Sequence, residues 1–176
     1  MRALEYPLIT PRLRLEPVTP ELAAAARAGG QVFAEHIGAD VPAEWRNASL
    51  RMLARTPGAN WDGETSPIRA VAIHREEGCV IGDVRFEPVP LEPKLVELGY
   101  SIAVGWRRRG YALEAAGAVL DWLFEEGECK AAIAGCERGN LASVKTLRKL
   151  GFWLDGSAGS AFWWTITPDL RDAALA

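Results

Sequence analysis

The chain has 176 residues, of which 49% are hydrophobic and 24% are charged, and its formal net charge at pH 7 is −3. This length and composition predict a single domain, residues 1–176, that is large enough to bury its own hydrophobic core. A pI of about 5.5 argues against broad nucleic-acid binding, which needs a basic face. No apolar run approaches the roughly 18 residues of a membrane span, and residues 1–10 lack a signal-peptide core. We therefore expect a cytoplasmic protein with no membrane partner.

The first part of the chain predicts one strand and two helices. Leu13 and Leu15 alternate with charged residues, which is typical of a half-buried strand. Thr19 and Pro20 then form a helix cap and first helical position. A loop rich in Gly, Pro, Asn and Asp follows, in which Trp61 is either a packed anchor or part of a substrate lid. The predicted elements are a strand at 12–18, helices at 20–28 and 42–55, and a loop at 57–67.

The rest of the chain predicts a three-strand meander followed by strand–helix crossovers. The strands are at 68–75, 79–89, 95–104, 130–137, 152–155 and 161–167, with helices at 109–126 and 140–150. In the strand at 95–104, Glu97, Gly99 and Ser101 share one face, and apolar residues from Val96 to Val104 share the other. This order predicts an α/β fold with a mixed sheet and helices on both of its faces.

A glycine motif lies between the strand at 95–104 and the following helix. It consists of Arg107, Arg108, Arg109, Gly110, Tyr111 and Ala112. Glycine lets the backbone approach a ligand closely, and the first helical turn has unpaired N–H groups whose dipole favours anions. Arginines add forked donors that suit phosphate. The motif predicts a pyrophosphate site, although Gly110 is alternatively a simple turn residue beside small residues that pack the helix on the sheet.

The element order and two motifs resemble the GNAT superfamily of acyl-CoA-dependent N-acetyltransferases, in its Rim-type, ribosomal-protein branch. The family's pyrophosphate motif, Arg/Gln-x-x-Gly-x-Gly/Ala, is similar to residues 107–112. The branch's second block resembles Asn140-Leu141-Ala142-Ser143 with Lys149-Leu150-Gly151-Phe152, and its first strand resembles residues 8–15. The resemblance implies a central, mostly antiparallel sheet of six to seven strands flanked by about four helices.

The resemblance also implies acetyl-CoA as the cosubstrate. The N–H groups of residues 109–112 would then hold its pyrophosphate, while the arginine side chains face solvent or reach the 3′-phosphate. Asn140 would contact the CoA arm and also cap its helix. Ser143, one helical turn further on, is either a functional group of the site or an ordinary helical serine.

In this family the amine attacks the thioester directly, which requires a base, an oxyanion donor and a leaving thiolate. Glu97 is the candidate base, unless it is a solvent-facing or salt-bridged carboxylate. His36 is the rival base, in the segment that would border the acceptor pocket, whereas His74 is interpreted as a strand residue. A backbone N–H of the strand at 95–104 is the candidate oxyanion donor.

One departure from the family concerns the general acid. Many members have a tyrosine four residues before Gly151, where this chain has Leu147. None of Tyr6, Tyr100 and Tyr111 is obviously equivalent, so Ser143 or a water molecule would donate the proton. Rim-type relatives commonly lack this tyrosine as well.

The cysteines and tryptophans add no motif. Cys79, Cys129 and Cys136 are odd in number, without a Cys-x-x-Cys pair, which predicts reduced buried thiols and no catalytic thiol. We expect no bound metal. Four tryptophans of the second half either pack or line an apolar acceptor slot, namely Trp106, Trp153, Trp163 and Trp164.

The sequence therefore predicts an acetyl-CoA-dependent N-acetyltransferase. Its acceptor would be a primary amine, either a protein N-terminus or a small molecule, and a homodimer is a family-level expectation. The alternative is a non-catalytic CoA-binding sensor or partner module with a degenerate acceptor site. A nucleotide in the same site is disfavoured because the Lys-Ser/Thr of a P-loop is missing.

Overall fold

A computed structural model describes residues 4–55 and 67–176, apart from the side chains of residues 47 and 48. Trp61 and most of its predicted loop lie outside the described residues. The strands are β1 Leu8–Ile9, β2 Leu13–Pro17, β3 Ile68–His74, β4 Cys79–Pro88, β5 Leu95–Ile102, β6 Ala131–Glu137, β7 Trp153–Ala158 and β8 Ala161–Ile166. The helices are α1 Pro20–Ala28, α2 Gly30–Ile37, α3 Ala43–Leu53, α4 Tyr111–Glu125, α5 Leu141–Leu150 and α6 Pro168–Leu175.

The described strands form one sheet in the order β1-β2-β3-β4-β5-β6-β8-β7. Neighbouring strands are antiparallel except for β5 and β6, which are parallel. The predicted α/β fold with a mostly antiparallel mixed sheet is confirmed. The sheet has one strand more than expected, because the short β1 pairs with β2 as a separate edge strand.

Two described helices were not predicted. Gly29 has a φ of 127° and ends α1 as expected, but Gly30 directly begins α2. The second, α6, begins at Pro168, whose fixed φ suits a first helical position. The strand β5 ends at Ile102, two residues earlier than predicted, because Val104–Trp106 forms a 3₁₀ turn. Val104 is accordingly exposed and does not share the apolar face of β5.

Each face of the sheet is covered by its own helices. The α3 face, as we call it, packs Val71, Ile73 and Val80 against α1, α2 and α3, where Phe33 and Trp45 stack with ring centroids 5.9 Å apart. The α5 face packs the larger cluster against α4 and α5. Fully buried members of that cluster include Leu13, Leu15, Phe86, Leu120, Leu147 and Trp164. Burial of such side chains stabilises the fold by about 1.5–3 kcal/mol each.

The pairing of β5 with β6 is unusually short. It joins Leu95 to Ala131, Val96 to Ala132 and Glu97 to Ile133, and no further pair follows. Beyond Glu97, β5 continues to pair with β4 up to Ile102, while β6 continues to pair with β8 up to Glu137. The two central strands therefore separate, and a gap opens in the middle of the sheet.

Candidate active site

A cavity of about 270 Å³ lies in the gap between β5 and β6. Residues from β4, β5, β6 and α5 line it, namely Arg85, Glu97, Leu98, Gly99, Tyr100, Ala134, Gly135, Cys136, Glu137, Asn140, Ser143 and Leu147. Glu97, Asn140 and Ser143, three of the residues singled out in the sequence, are thus brought together. They come from two elements that are far apart in the chain.

Strand alternation gives the cavity two different sides. Leu98 and Tyr100 belong to the α5 face, where they pack with α4 and α5. Glu97 and Gly99 have the opposite orientation and belong to the α3 face. A ligand in the gap is therefore reached by Glu97 from one side and by the α5 residues from the other.

The edge of β5 that faces the gap has backbone groups without a strand partner. The N–H of Ala103 donates to Ile81, and the carbonyl of Leu95 accepts from Val89, so the odd-numbered residues of β5 point their backbone groups toward β4. The even-numbered Leu98 and Tyr100 consequently point their N–H and C=O groups into the gap. The N–H groups of Leu98 and Tyr100 are therefore the candidates for the oxyanion donor that was expected on this strand.

The glycine motif lies beyond the end of β5, at the start of α4. Gly110 has a φ of 85°, in the left-handed region that glycine adopts without strain, and the helix begins at Tyr111. No side chain from the described ranges caps this end, and the N–H of Glu114 makes the first intrahelical bond, to the carbonyl of Gly110. The N–H groups of Tyr111, Ala112 and Leu113 therefore precede the first helical hydrogen bond. This is the geometry of an anion site.

The arginines of the motif are exposed and differ in their contacts. Arg107 donates from Nε to the carbonyl of Ile102, the last residue of β5, at 2.8 Å. Arg108 has a φ of 61°, unusual for a residue with a side chain. The guanidinium of Arg109 lies 5.6 Å from the ring of Trp106. All three bring positive charge next to the uncapped helix.

Glu114 fixes the first turn of α4 to the N-terminal segment. Its carboxylate accepts from the Thr10 hydroxyl at 2.6 Å, and it pairs with the Arg12 guanidinium at 2.6 Å. Burial raises the pKa of Glu114, but the hydrogen bonds and the charge of Arg12 lower it by more, so the pKa lies below its ordinary value. Arg12 also donates to the carbonyl of Arg109 at 2.9 Å, so one network holds both the helix and the preceding turn.

Glu97 and Arg85 form the α3-face side of the cavity. The Glu97 side chain is exposed, and it forms no ion pair with the residues that the structure describes. Nearby, Asp83 is 6% exposed and accepts hydrogen bonds from Trp45 Nε1 at 3.0 Å and Ser101 Oγ at 2.6 Å. Asp83 thereby attaches α3 to β4 and β5 beside the site.

The first turns of α5 form the opposite side. Asn140 caps the helix, and its Oδ1 accepts from the N–H of Ser143 at 3.1 Å. Leu147 lines the cavity one turn further on. The hydroxyl of Tyr100 is buried beside Ser143 and Thr146, and none of the described residues is within hydrogen-bonding geometry of it. Burial raises the pKa of this hydroxyl. A tyrosine thus lines the cavity from β5, although α5 has a leucine where many family members have one.

The structure does not bring the histidines to the cavity. His36 lies on the exposed surface of α2 and is not among the lining residues. His74 is buried on β3, where it contacts Trp106 and Tyr111 at ring distances of 5.0 and 5.4 Å. His74 therefore supports the turn that leads into α4, and the interpretation of it as a strand residue is confirmed.

The cysteines and tryptophans differ in their burial and in their distance from the cavity. Cys79 is half-buried rather than buried, Cys136 lines the cavity, and burial raises the pKa of Cys129 to about 12. Trp164 is buried in the core, while the ring of Trp163 lies over Gly135 beside the cavity.

Among the described residues, no cluster of three or more His, Cys, Asp or Glu side chains is arranged to hold a metal ion. None of the described helices is both long and apolar enough to cross a bilayer.

A cavity between diverging parallel strands, with an uncapped helix N-terminus beyond the end of one of them, is the arrangement expected of an acyl-CoA-dependent transferase of mixed α/β fold. The chain belongs to the GNAT acetyltransferases: the family described as "Acetyltransferase (GNAT) domain" matches residues 12–153. Acyltransferase activity and the α/β fold that the sequence predicted are thereby confirmed.

Similar proteins agree with this assignment. The chain is 28% identical over 170 residues to the uncharacterized N-acetyltransferase YjdG of Bacillus subtilis, covering 89% of this chain and 95% of the relative. The ribosomal-protein-S5-alanine acetyltransferase of Vibrio fischeri superposes with a TM-score of 0.66 at 16% identity, covering 94% of this chain and 98% of that one. MccE, a microcin C7 self-immunity acetyltransferase solved with acetyl-CoA and AMP, has a TM-score of 0.62 at 14% identity, with 90% and 93% covered. At these identities the two solved structures show the fold.

Proposed function

We propose that this chain transfers the acetyl group of acetyl-CoA to a primary amine, of a protein N-terminus or a small molecule, by direct attack on the thioester. The observation that supports it most is the continuity of β5. The same strand lines the cavity at Glu97–Tyr100 and leads through the turn at Gly110 into the uncapped helix. A strand rises about 3.3 Å per residue, so an extended thioester arm can follow β5 from one end to the other.

The cofactor would lie on the α5 face of the gap. The N–H groups of residues 109–112 would bind its pyrophosphate, because they precede the first helical hydrogen bond. The exposed Arg107, Arg108 and Arg109 add positive charge there, and Asn140 and Ser143 would contact the arm. MccE, which shares the fold, was solved with acetyl-CoA bound.

The amine would approach from the α3 face, where Glu97 takes the proton that the ammonium loses, directly or through water. The amine lone pair forms the C–N bond, and the carbonyl electrons move to an oxyanion that the Leu98 or Tyr100 N–H stabilises. The C=O bond then re-forms while the C–S bond breaks, and the electron pair of the C–S bond leaves with sulfur. The thiolate takes a proton from Ser143, beside the buried Tyr100 hydroxyl, or from water, and the second proton that the attacking nitrogen loses returns to that donor.

Two measurements test this function. Acetyl-CoA at about 100 times its dissociation constant adds roughly 2.7 kcal/mol of stability, which raises the melting temperature by about 5–10 °C for a chain of this size. Thiol release from acetyl-CoA with a panel of primary amines then tests transfer. A melting shift without amine-dependent thiol release would favour the CoA-binding sensor instead, and the absence of both would exclude the proposal.

A further inference from the structure

Two opposite charges line the α3-face side of the cavity without pairing with each other. Arg85 and Glu97 are both lining residues, yet no nitrogen–oxygen distance between them is within 4 Å. Arg85 makes one loose contact, from Nε to Glu87 Oε1 at 3.5 Å, and that carboxylate already pairs with Arg69 at 2.8 Å. The two terminal nitrogens of Arg85 have no hydrogen-bond partner among the residues that the structure describes.

The backbone of β5 makes room for this guanidinium. Arg85 pairs across the sheet with Gly99, and a Cβ added to Gly99 would lie 2.5 Å from Arg85 Cζ and 2.7 Å from Nη2. The guanidinium therefore lies against the bare Cα of Gly99, with its side chain 32% exposed. A side chain at position 99 would displace the Arg85 guanidinium. Glycine at this position therefore allows the guanidinium to lie at the edge of the gap.

We propose that the acceptor is a primary amine with a carboxylate or phosphate a few bonds from its nitrogen, and that Arg85 binds this anionic group. This inference rests on the proposed acetyl transfer, since it names the acceptor class of that same site. Glu97 faces the ammonium end, and Arg85 faces the anionic end.

The spacing of the two charges suits such a molecule. Arg85 lies over Gly99, and Gly99 is two residues from Glu97 on the same face of β5. Two strand residues span about 7 Å, so the two ends of one small molecule, or of an acidic N-terminal residue, reach both groups. A guanidinium fork binds carboxylate and phosphate through two hydrogen bonds. A neutral amine would leave the two terminal nitrogens of Arg85 without a partner among the described residues, and a cationic acceptor would be repelled by the guanidinium.

Matched pairs of amines test the inference with the native chain. One pair is an amino acid and its amide, the second an aminoalkyl phosphate and the amino alcohol, and the third peptides with N-terminal Asp and Asn. We expect higher kcat/KM for the anionic member of at least one pair, and the pair that responds identifies the source of the anion. Equal rates within all three pairs, or a preference for the neutral members, would overturn the inference.

The variant Arg85→Gln then assigns the preference to this residue. A hydrogen-bonded charge pair lost from binding lowers kcat/KM for the anionic member by about 10- to 100-fold, through KM, while kcat/KM for the neutral member falls much less. Arg51→Gln, an exposed arginine of α3, is the control and should keep the preference. A variant that slows both members equally would contradict the assignment. If no amine of any kind releases thiol, the transfer reaction itself fails, which is a different outcome.

Discussion

Glu97 occupies a position that fits a base acting on the amine rather than a group that holds the cofactor. It points to the α3 face of β5, while the uncapped helix and α5 lie on the other face. Its removal should therefore affect the chemistry and not the affinity for acetyl-CoA.

We predict that Glu97→Gln lowers kcat by about 10²- to 10⁴-fold, the usual contribution of a general base. The dissociation constant for acetyl-CoA should stay the same, as measured by calorimetry beside the thiol-release rate. Glu92→Gln, in the exposed turn before β5, is the matched control and should be fully active. Normal turnover of the Glu97 variant across the pH range would exclude Glu97 as the base.

Arg85 and Tyr100 line the cavity, but the sequence did not predict either of them as a site residue. Neither belongs to a local motif, and each lines the cavity only through pairing or packing with a distant segment. Arg85 needs the β4–β5 register that places it opposite Gly99, and Tyr100 needs α5 packed on its strand. Asn140 and Gly110 could be predicted because capping and left-handed turns depend on neighbouring residues alone.

Helix α4 has two features at its N-terminus: the left-handed turn at Gly110 and the carboxylate of Glu114, which pairs with Arg12. The same helix is followed at its other end by Gly127, whose φ of 65° is also left-handed. The two glycines make similar demands on the backbone, but only Gly110 adjoins the free N–H groups. Because both glycines are left-handed, a substitution at Gly127 is a control for the same substitution at Gly110.

We predict that Gly110→Glu abolishes acetyl-CoA binding, because a side chain and its negative charge enter the space in front of the N–H groups. Gly127→Glu should bind normally. Both variants lose about 1–2 kcal/mol to the left-handed backbone, so the loss of stability is matched and only the calorimetric affinity separates them. A folded Gly110 variant with native affinity would mean that the pyrophosphate binds elsewhere.

The anchor at Glu114 makes the start of α4 sensitive to acid. Its pKa is lowered in the folded chain from an ordinary 4.5, so its stabilising effect is complete above that value and is lost as pH falls through the lowered pKa. We predict that Glu114→Gln lowers the free energy of unfolding at pH 7 by about 1–3 kcal/mol. In urea titrations the difference from the native chain should shrink below about pH 4.5.

The control for Glu114 is Glu125→Gln in the last turn of α4. The side chain of Glu125 is exposed, and it makes no hydrogen bond or ion pair with the described part of the chain. A carboxylate at a helix C-terminus is slightly unfavourable, so its removal should leave stability unchanged or increase it slightly. An equal, pH-independent loss in both variants would contradict the role of the Thr10–Arg12–Glu114 network.

At the scale of elements, the sequence predicted most of the regular structure in the described part of the chain. The strands β2 to β8 and the helices α1, α3, α4 and α5 were all foreseen. The two helices that were missed, α2 and α6, are only eight residues long, and α2 begins at the glycine that ends the previous helix. Glycine pairs stop a helix but do not determine whether another begins.

At the scale of the whole molecule, the candidate site residues lie on both faces of one sheet. The gap between β5 and β6 connects the α5 face, with the anion site, to the α3 face, with Glu97 and Arg85. In the proposed reaction the two substrates would enter from opposite sides and meet in the gap. We therefore expect a ternary complex rather than a covalent intermediate. The gap itself could not be predicted from periodicity, since it depends on where β5 stops pairing with β6.

A covalent route would need a nucleophile in the cavity, and Cys136 is the thiol that lines it. We predict that isotope-labelled CoA does not exchange into acetyl-CoA when no amine is present, because direct transfer breaks the C–S bond only after the amine attacks. Exchange at a rate comparable to turnover would indicate an acyl-enzyme, and its loss in Cys136→Ala would identify the thiol. Cys129→Ala, which removes a thiol whose pKa is raised to about 12 by burial, is the control in that case.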